Sequence, residues 1–126
     1  MTLQELVDVK REDNAKYKIL FGDLVADIYS CKDDVKYSSF LEKEPNWDGL
    51  EKKDISLIVS AFVHLSDLTQ GKIKAYKWLY SQKFILDEPY FALNAKGGLR
   101  DILLQESPPA YRRNNIFVSA NVLTKV

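Results

Sequence analysis

Apolar side chains recur at helical spacing from Leu3 to Cys31, give way to a turn-rich stretch from Lys32 to Gly49, and return as a dense apolar block after Asp54. In the first block, Leu3, Leu6, Val9, Tyr17, Leu20, Leu24, Ile28 and Cys31 mark one face of a long N-terminal helix. Thr2 followed by Glu5 is a capping-box pattern that starts it. The turn from Lys10 to Lys16 is polar nearly all round and predicts a solvated or bent segment, and Gly22 weakens the helix modestly. Between Lys32 and Gly49, turn-forming residues surround Tyr37, Phe40, Leu41 and Trp47, which predicts a connecting loop pinned by aromatics.

From Asp54, read as an N-cap, Ile55, Leu57, Ile58, Ala61, Phe62, Leu65 and Leu68 cover most of a helical circumference. This is the expected central core helix, closed by Gly71. The pattern then continues helically from Ile73 to Gln82. Phe84–Leu86 and Tyr90–Leu93 flank Asp-Glu-Pro, a spacing that permits a small edge hairpin. A short helix over 99–105 follows Lys96-Gly97-Gly98. Ser107-Pro108 reads as N-cap and first position of another, and Ser119 as the cap of a terminal turn carrying Val122 and Leu123. The fold class expected is all-α or α-dominated, a single helical domain over 1–126 with room for one small hairpin.

Length agrees, because 126 residues support one core and not two. The balance of 18 basic and 18 acidic side chains argues against a polybasic protein that binds nucleic acid by bulk charge. The distribution is uneven, however: residues 1–63 hold 9 Lys/Arg against 13 Asp/Glu, and residues 64–126 hold 9 against 5. A basic C-terminal half fits an acidic partner, or attraction between the two halves. The lone Cys31 excludes an intramolecular disulfide and is expected as a small buried hydrophobe in a reducing compartment. No leader or membrane-spanning pattern is present in the sequence, so a cytoplasmic protein with no membrane association is expected.

No residue spacing matches a catalytic or metal-binding signature, and neither enzyme activity nor a cofactor is expected. His64, the single histidine, falls inside the core-helix pattern and reads as structural. Asp33-Asp34 and Asp87-Glu88 fall in turns, where carboxylates are solvated or cap the backbone. Lys96-Gly97-Gly98, with Arg100 nearby, could hold an anion at a helix start but reads first as a chain reversal. Gln70-Gly71-Lys72 between two helical patterns invites a helix-turn-helix reading, in which Lys74, Lys77 and Gln82 would face DNA with Lys72 on a phosphate, and a nucleic-acid binder in general would put Lys72, Lys74, Lys77, Arg112 and Arg113 on one face. The aromatic crowd of Tyr76, Trp78 and Tyr80 argues against it. The strongest candidate surface is Glu106–Ser119, where Tyr111, Arg112, Arg113 and Asn114 combine forked donors with a ring. One arginine is expected to bind helix-end carbonyls or Glu106, the other to face outward.

Leu86-Asp-Glu-Pro-Tyr-Phe91, Leu99-Arg100, Glu106-Ser-Pro108, Tyr111-Arg-Arg113 and Ile116-Phe-Val-Ser119 resemble the C-terminal part of a family of small bacterial proteins. Members of that family resemble components of two-gene modules whose companion gene encodes a nucleotidyltransferase-like or other toxin-like protein. The resemblance spans roughly residues 55 to 126 and implies an antitoxin-like partner role with no catalytic residue. Together these readings favour a non-enzymatic interaction module docking a protein encoded nearby through Lys96, Arg100, Tyr111, Arg112, Arg113 and Asn114. Nucleic-acid binding is the alternative, and oligomeric state is left open.

Overall fold

In the computed structural model, which describes residues 1–92 and 95–123, the Thr2 hydroxyl accepts from the Glu5 amide at 3.1 Å and opens α1 (Leu3–Glu12). The expected long N-terminal helix is broken once. Asp13 is extended, its amide closes α1 on the Val9 carbonyl, and its carboxylate accepts from the Lys16 amide to open α2 (Asn14–Ser30). One residue thus ends one helix with its amide and starts the next with its carboxylate, inside the polar turn where the pattern predicts a bend. Cys31 is half-exposed at the end of α2, where its thiol donates to the Asp33 carbonyl; the expectation of a buried hydrophobe does not hold.

α3 (Lys52–Leu68) begins three residues earlier than expected, with Glu51 at the N-cap and Asp54 in the first turn. It is the core element: every residue from Ile58 to Leu65 is buried. Its buried hydroxyls are used, Ser56 donating to the Phe84 carbonyl at 2.7 Å. Past Leu68, positive φ at Gln70 and Gly71 reverses the chain, and the Gly71 amide closes on Ser66 O. Glycine adopts that conformation without steric cost.

The helix expected over Ile73–Gln82 is absent. Ile73 forms a parallel bridge with Tyr37, and only two short 3-10 helices follow, Lys77–Tyr80 and Gln82–Phe84. Tertiary contacts override the helical pattern, because Tyr76 and Trp78 reach across to the carbonyls of Ser38 and Leu41 at 2.5 and 2.6 Å. Phe84 packs edge to face on Trp47 and on Trp78, and the two indoles tilt against each other beneath the 32–50 loop, which is pinned by aromatics as expected.

No hairpin forms among the described residues at 84–92, and its expected end at Leu93 lies outside them. Tyr90–Phe91 (β1) instead pairs in parallel with Ile116–Phe117 (β2). A parallel pair needs a long crossover, here carrying α4 (Gly98–Glu106) and α5 (Pro109–Arg112). Asn115, at φ +67, steers the chain into β2 and donates to the Leu86 carbonyl at 3.1 Å. α5 starts one residue later than read, with Pro108 at the cap. Ser107 is a buried brace: its hydroxyl donates to Ile116 O at 3.1 Å and accepts from the Val118 amide at 3.2 Å. The molecule is α-dominated with one two-stranded sheet. Among the described residues, no helix is long and apolar enough to cross a membrane.

Candidate functional site

The six residues singled out in the sequence divide into core and surface. Tyr111 (4% exposed) and Asn114 (3%) are buried, which corrects the expectation that they face outward. α5 is a single turn in which Tyr111 faces α3 and meets the His64 ring edge-on at 5.7 Å, while Arg112 and Arg113 remain exposed. Asn114 donates to the Ser60 hydroxyl at 2.8 Å inside the core. Burial pushes the Tyr111 hydroxyl well above its ordinary titration range, so it is a neutral packing element. His64 is structural too. Its Nε2 lies 3.1 Å from the Val122 carbonyl, and burial lowers its pKa.

The four cations are exposed. Arg112 reaches back to the end of α4 and donates to the carbonyls of Gln105 (3.0 Å) and Ser107 (2.9 Å), groups that a helix terminus leaves without internal partners. Arg113 donates to the Tyr80 carbonyl and lies over the Tyr80 ring, 5.0 Å from its centroid. Arg100, in the first turn of α4, stacks 4.2 Å from the Phe91 centroid, and Phe91 stacks on Phe117 at 5.1 Å. The strand pair therefore carries a cation on an aromatic platform. Lys96 precedes the reversal at Gly97, whose φ is +57.

α4 itself is lightly anchored. Leu103 is buried against Ala95 and Phe117, while Leu99, Ile102 and Leu104 are 43%, 53% and 42% exposed. Leu99 and Ile102, three residues apart, share one flank, and Leu104 lies on the other. These exposed apolar side chains, Leu104 on the flank of Arg100 and Leu99 with Ile102 on the other, are what the reading of the Arg-Arg segment missed. The signal was the Leu-Arg-Asp-Ile-Leu-Leu pattern, too apolar for the one inward direction a helix this short can offer.

Ion pairing does not set these cations apart. Among the described residues the salt bridges are Arg11–Asp8, Lys36–Asp27, Lys52–Asp87 and Lys83–Glu44. Attraction between the halves thus uses only Lys83 of the C-terminal basic residues described. Among the described residues Lys96, Arg100, Arg112 and Arg113, like Lys72, Lys74 and Lys77, form no salt bridge. The nucleic-acid candidates are dispersed: Lys72 donates to the Tyr29 carbonyl at 3.0 Å, Lys74 lies over its neighbour Tyr76, and Arg112 is tied to the end of α4. Lys77 stands one 3-10 turn before Tyr80, the ring that Arg113 covers. Asp33-Asp34 and Asp87-Glu88 are exposed, and among the described residues no group of three His, Cys, Asp or Glu side chains is gathered as a metal site would require.

The arrangement can present an apolar patch rimmed by forked cations, a combination suited to recognising a carboxylate-bearing protein surface. Comparison with protein-family models, curated proteins and solved structures finds no match, so function is argued from this geometry.

Proposed function

We propose that this chain is a non-catalytic protein-interaction module whose α4–α5 surface docks an acidic partner with an apolar centre. The observation that carries the reading is the coincidence on one short helix of exposed Leu99 and Ile102 on one flank and Leu104 on the other with Arg100 in its first turn and Arg112 over its C-terminal end, cations that form no salt bridge among the described residues. Lys96 adds to the basic rim. Apolar burial would supply affinity, and the arginines would set orientation and on-rate. Tyr111 and Asn114 support this surface from within and make no contact with the partner. The resemblance to two-gene modules gives the first partner to test, the toxin-like product of a companion gene, with this chain as its antitoxin-like neutraliser.

The test is calorimetric titration of the purified chain with the product of its neighbouring gene. Binding that weakens at least about tenfold in Ile102→Asp supports the reading, since one buried aliphatic anchor is worth about 1.5–3 kcal/mol. Unchanged affinity in that variant, or no binding by the unmodified chain, removes it.

A second reading rests on the Lys77–Tyr80–Arg113 group, because residues three apart in a 3-10 helix eclipse one another and place Lys77 beside the ring that Arg113 covers. A basic group with an exposed ring suits a single-stranded nucleic acid. Retention of an oligonucleotide that falls steeply with added salt and is lost in Arg113→Ala would favour it.

A further inference from the structure

We propose that two copies of this chain associate through the outer faces of their α2 helices, packed antiparallel about a point midway between Ile19 and Gly22. α2 turns Tyr17 and Ile28 into the core, and among the described residues its opposite side is exposed. There Ala15, Ile19, Gly22 and Ala26 are all exposed, Ile19 at 66%. Their spacing of four, three and four residues keeps them on one line along a helix, the spacing of a two-helix seam.

Size and charge together identify the occupant. Space above Gly22 is open, since a Cβ placed there would meet nothing within 4 Å. An antiparallel second copy places Ile19 of each chain over Gly22 of the other and matches Ala15 with Ala26, large against small as close packing requires. A parallel copy would set Ile19 on Ile19 and leave an unfilled gap between the two glycines. Lys16 and Asp23 border the same edge of the seam, so the antiparallel arrangement brings Lys16 of each copy to Asp23 of the other, twice. Both are exposed, and neither joins an ion pair within the chain among the described residues. Along the other edge, Lys18 and Val25 rim a shallow groove of about 350 Å³ lined also by Tyr17, Phe21 and Leu123. The pairing covers that groove in both copies. This face is formed by α2, separate from the α4–α5 surface, and the inference does not rest on the proposed function.

Sedimentation of the purified full chain from low micromolar to submillimolar concentration should show its mass rising towards that of a dimer. Lys16→Asp and Asp23→Lys each create two like-charge contacts and should each weaken self-association about tenfold or more. An equimolar mixture of the two variants restores both opposite-charge contacts, so the mixture should associate at least as tightly as the unmodified chain. A misfolded variant would not be rescued by mixing. Monomeric mass at every concentration, or a mixture no tighter than either variant alone, overturns the proposal.

Discussion

Replacing Ser107 with alanine should show how far the candidate surface depends on a single buried hydroxyl. Ser107 joins the end of α4 to β2: its Oγ donates to the Ile116 carbonyl and accepts from the Val118 amide, and all three residues are buried. The substitution leaves both main-chain groups without a partner, in a site where no other donor is positioned to replace it. Each buried unpaired group costs about 1–3 kcal/mol, and partial relaxation of β2 recovers some of this, so a loss of about 2–4 kcal/mol is expected. Against a domain stability of about 5–15 kcal/mol this is a large fraction. Urea unfolding followed by fluorescence of Trp47 and Trp78 would read it as a midpoint lowered by about 1–2 M. Amide exchange at Val118 should accelerate in step. A midpoint shift under about 0.3 M would refute the idea that this hydroxyl braces the α4–β2 joint.

Three further outcomes follow from individual contacts. Asn114→Ala leaves the buried Ser60 hydroxyl without its partner and opens space beside α3, so it should cost about 2–3 kcal/mol in urea unfolding. A loss of partner affinity with no loss of stability would contradict its assignment to the core. Burial depresses the His64 pKa, so the folded state favours the neutral ring. Its stabilising contribution is complete above the ordinary imidazole value of 6.5 and declines as pH falls through it. Urea midpoints between pH 7.5 and 6 should therefore fall in the native chain and fall less in His64→Gln; equal slopes would exclude His64 as the cause. Tyr29→Phe removes the hydroxyl that donates to Leu123 O at 2.8 Å and should speed amide exchange in the 119–123 turn without moving the global midpoint, an outcome excluded if exchange there is unchanged.

The parts of the fold that sequence made legible are those set by local rules. α3 was readable because an apolar block around the whole circumference has only one place to go, the centre. The bend in the N-terminal helix was readable from its polar turn, though not the double capping by Asp13. The parallel pairing of Tyr90 with Ile116 was invisible, since neither two-residue strand carries a periodic signal and the partners are brought together by tertiary contacts. The missing helix at Ile73–Gln82 has the same origin, because Tyr76 and Trp78 satisfy distant carbonyls and set the local backbone.

For the candidate site, sequence identified the chemistry better than its direction. Tyr111, Arg112, Arg113 and Asn114 looked alike as a recognition segment, yet a single helical turn points two of them inward and two outward. Four residues are too few for periodicity to reveal which. The spacing of Leu99, Ile102 and Leu103 puts them on one face of the short helix, yet only Leu103 is buried, against Ala95 and Phe117.

The most direct test of the α4–α5 surface is hydrogen–deuterium exchange of the chain alone and in the presence of its neighbouring gene product. The account predicts new protection over residues 96–106 and at Arg112 and Arg113, with the Lys32–Gly49 loop unchanged. Protection confined to that loop or to the Lys77–Tyr80 turn, with 96–106 exchanging as in the free chain, would contradict it.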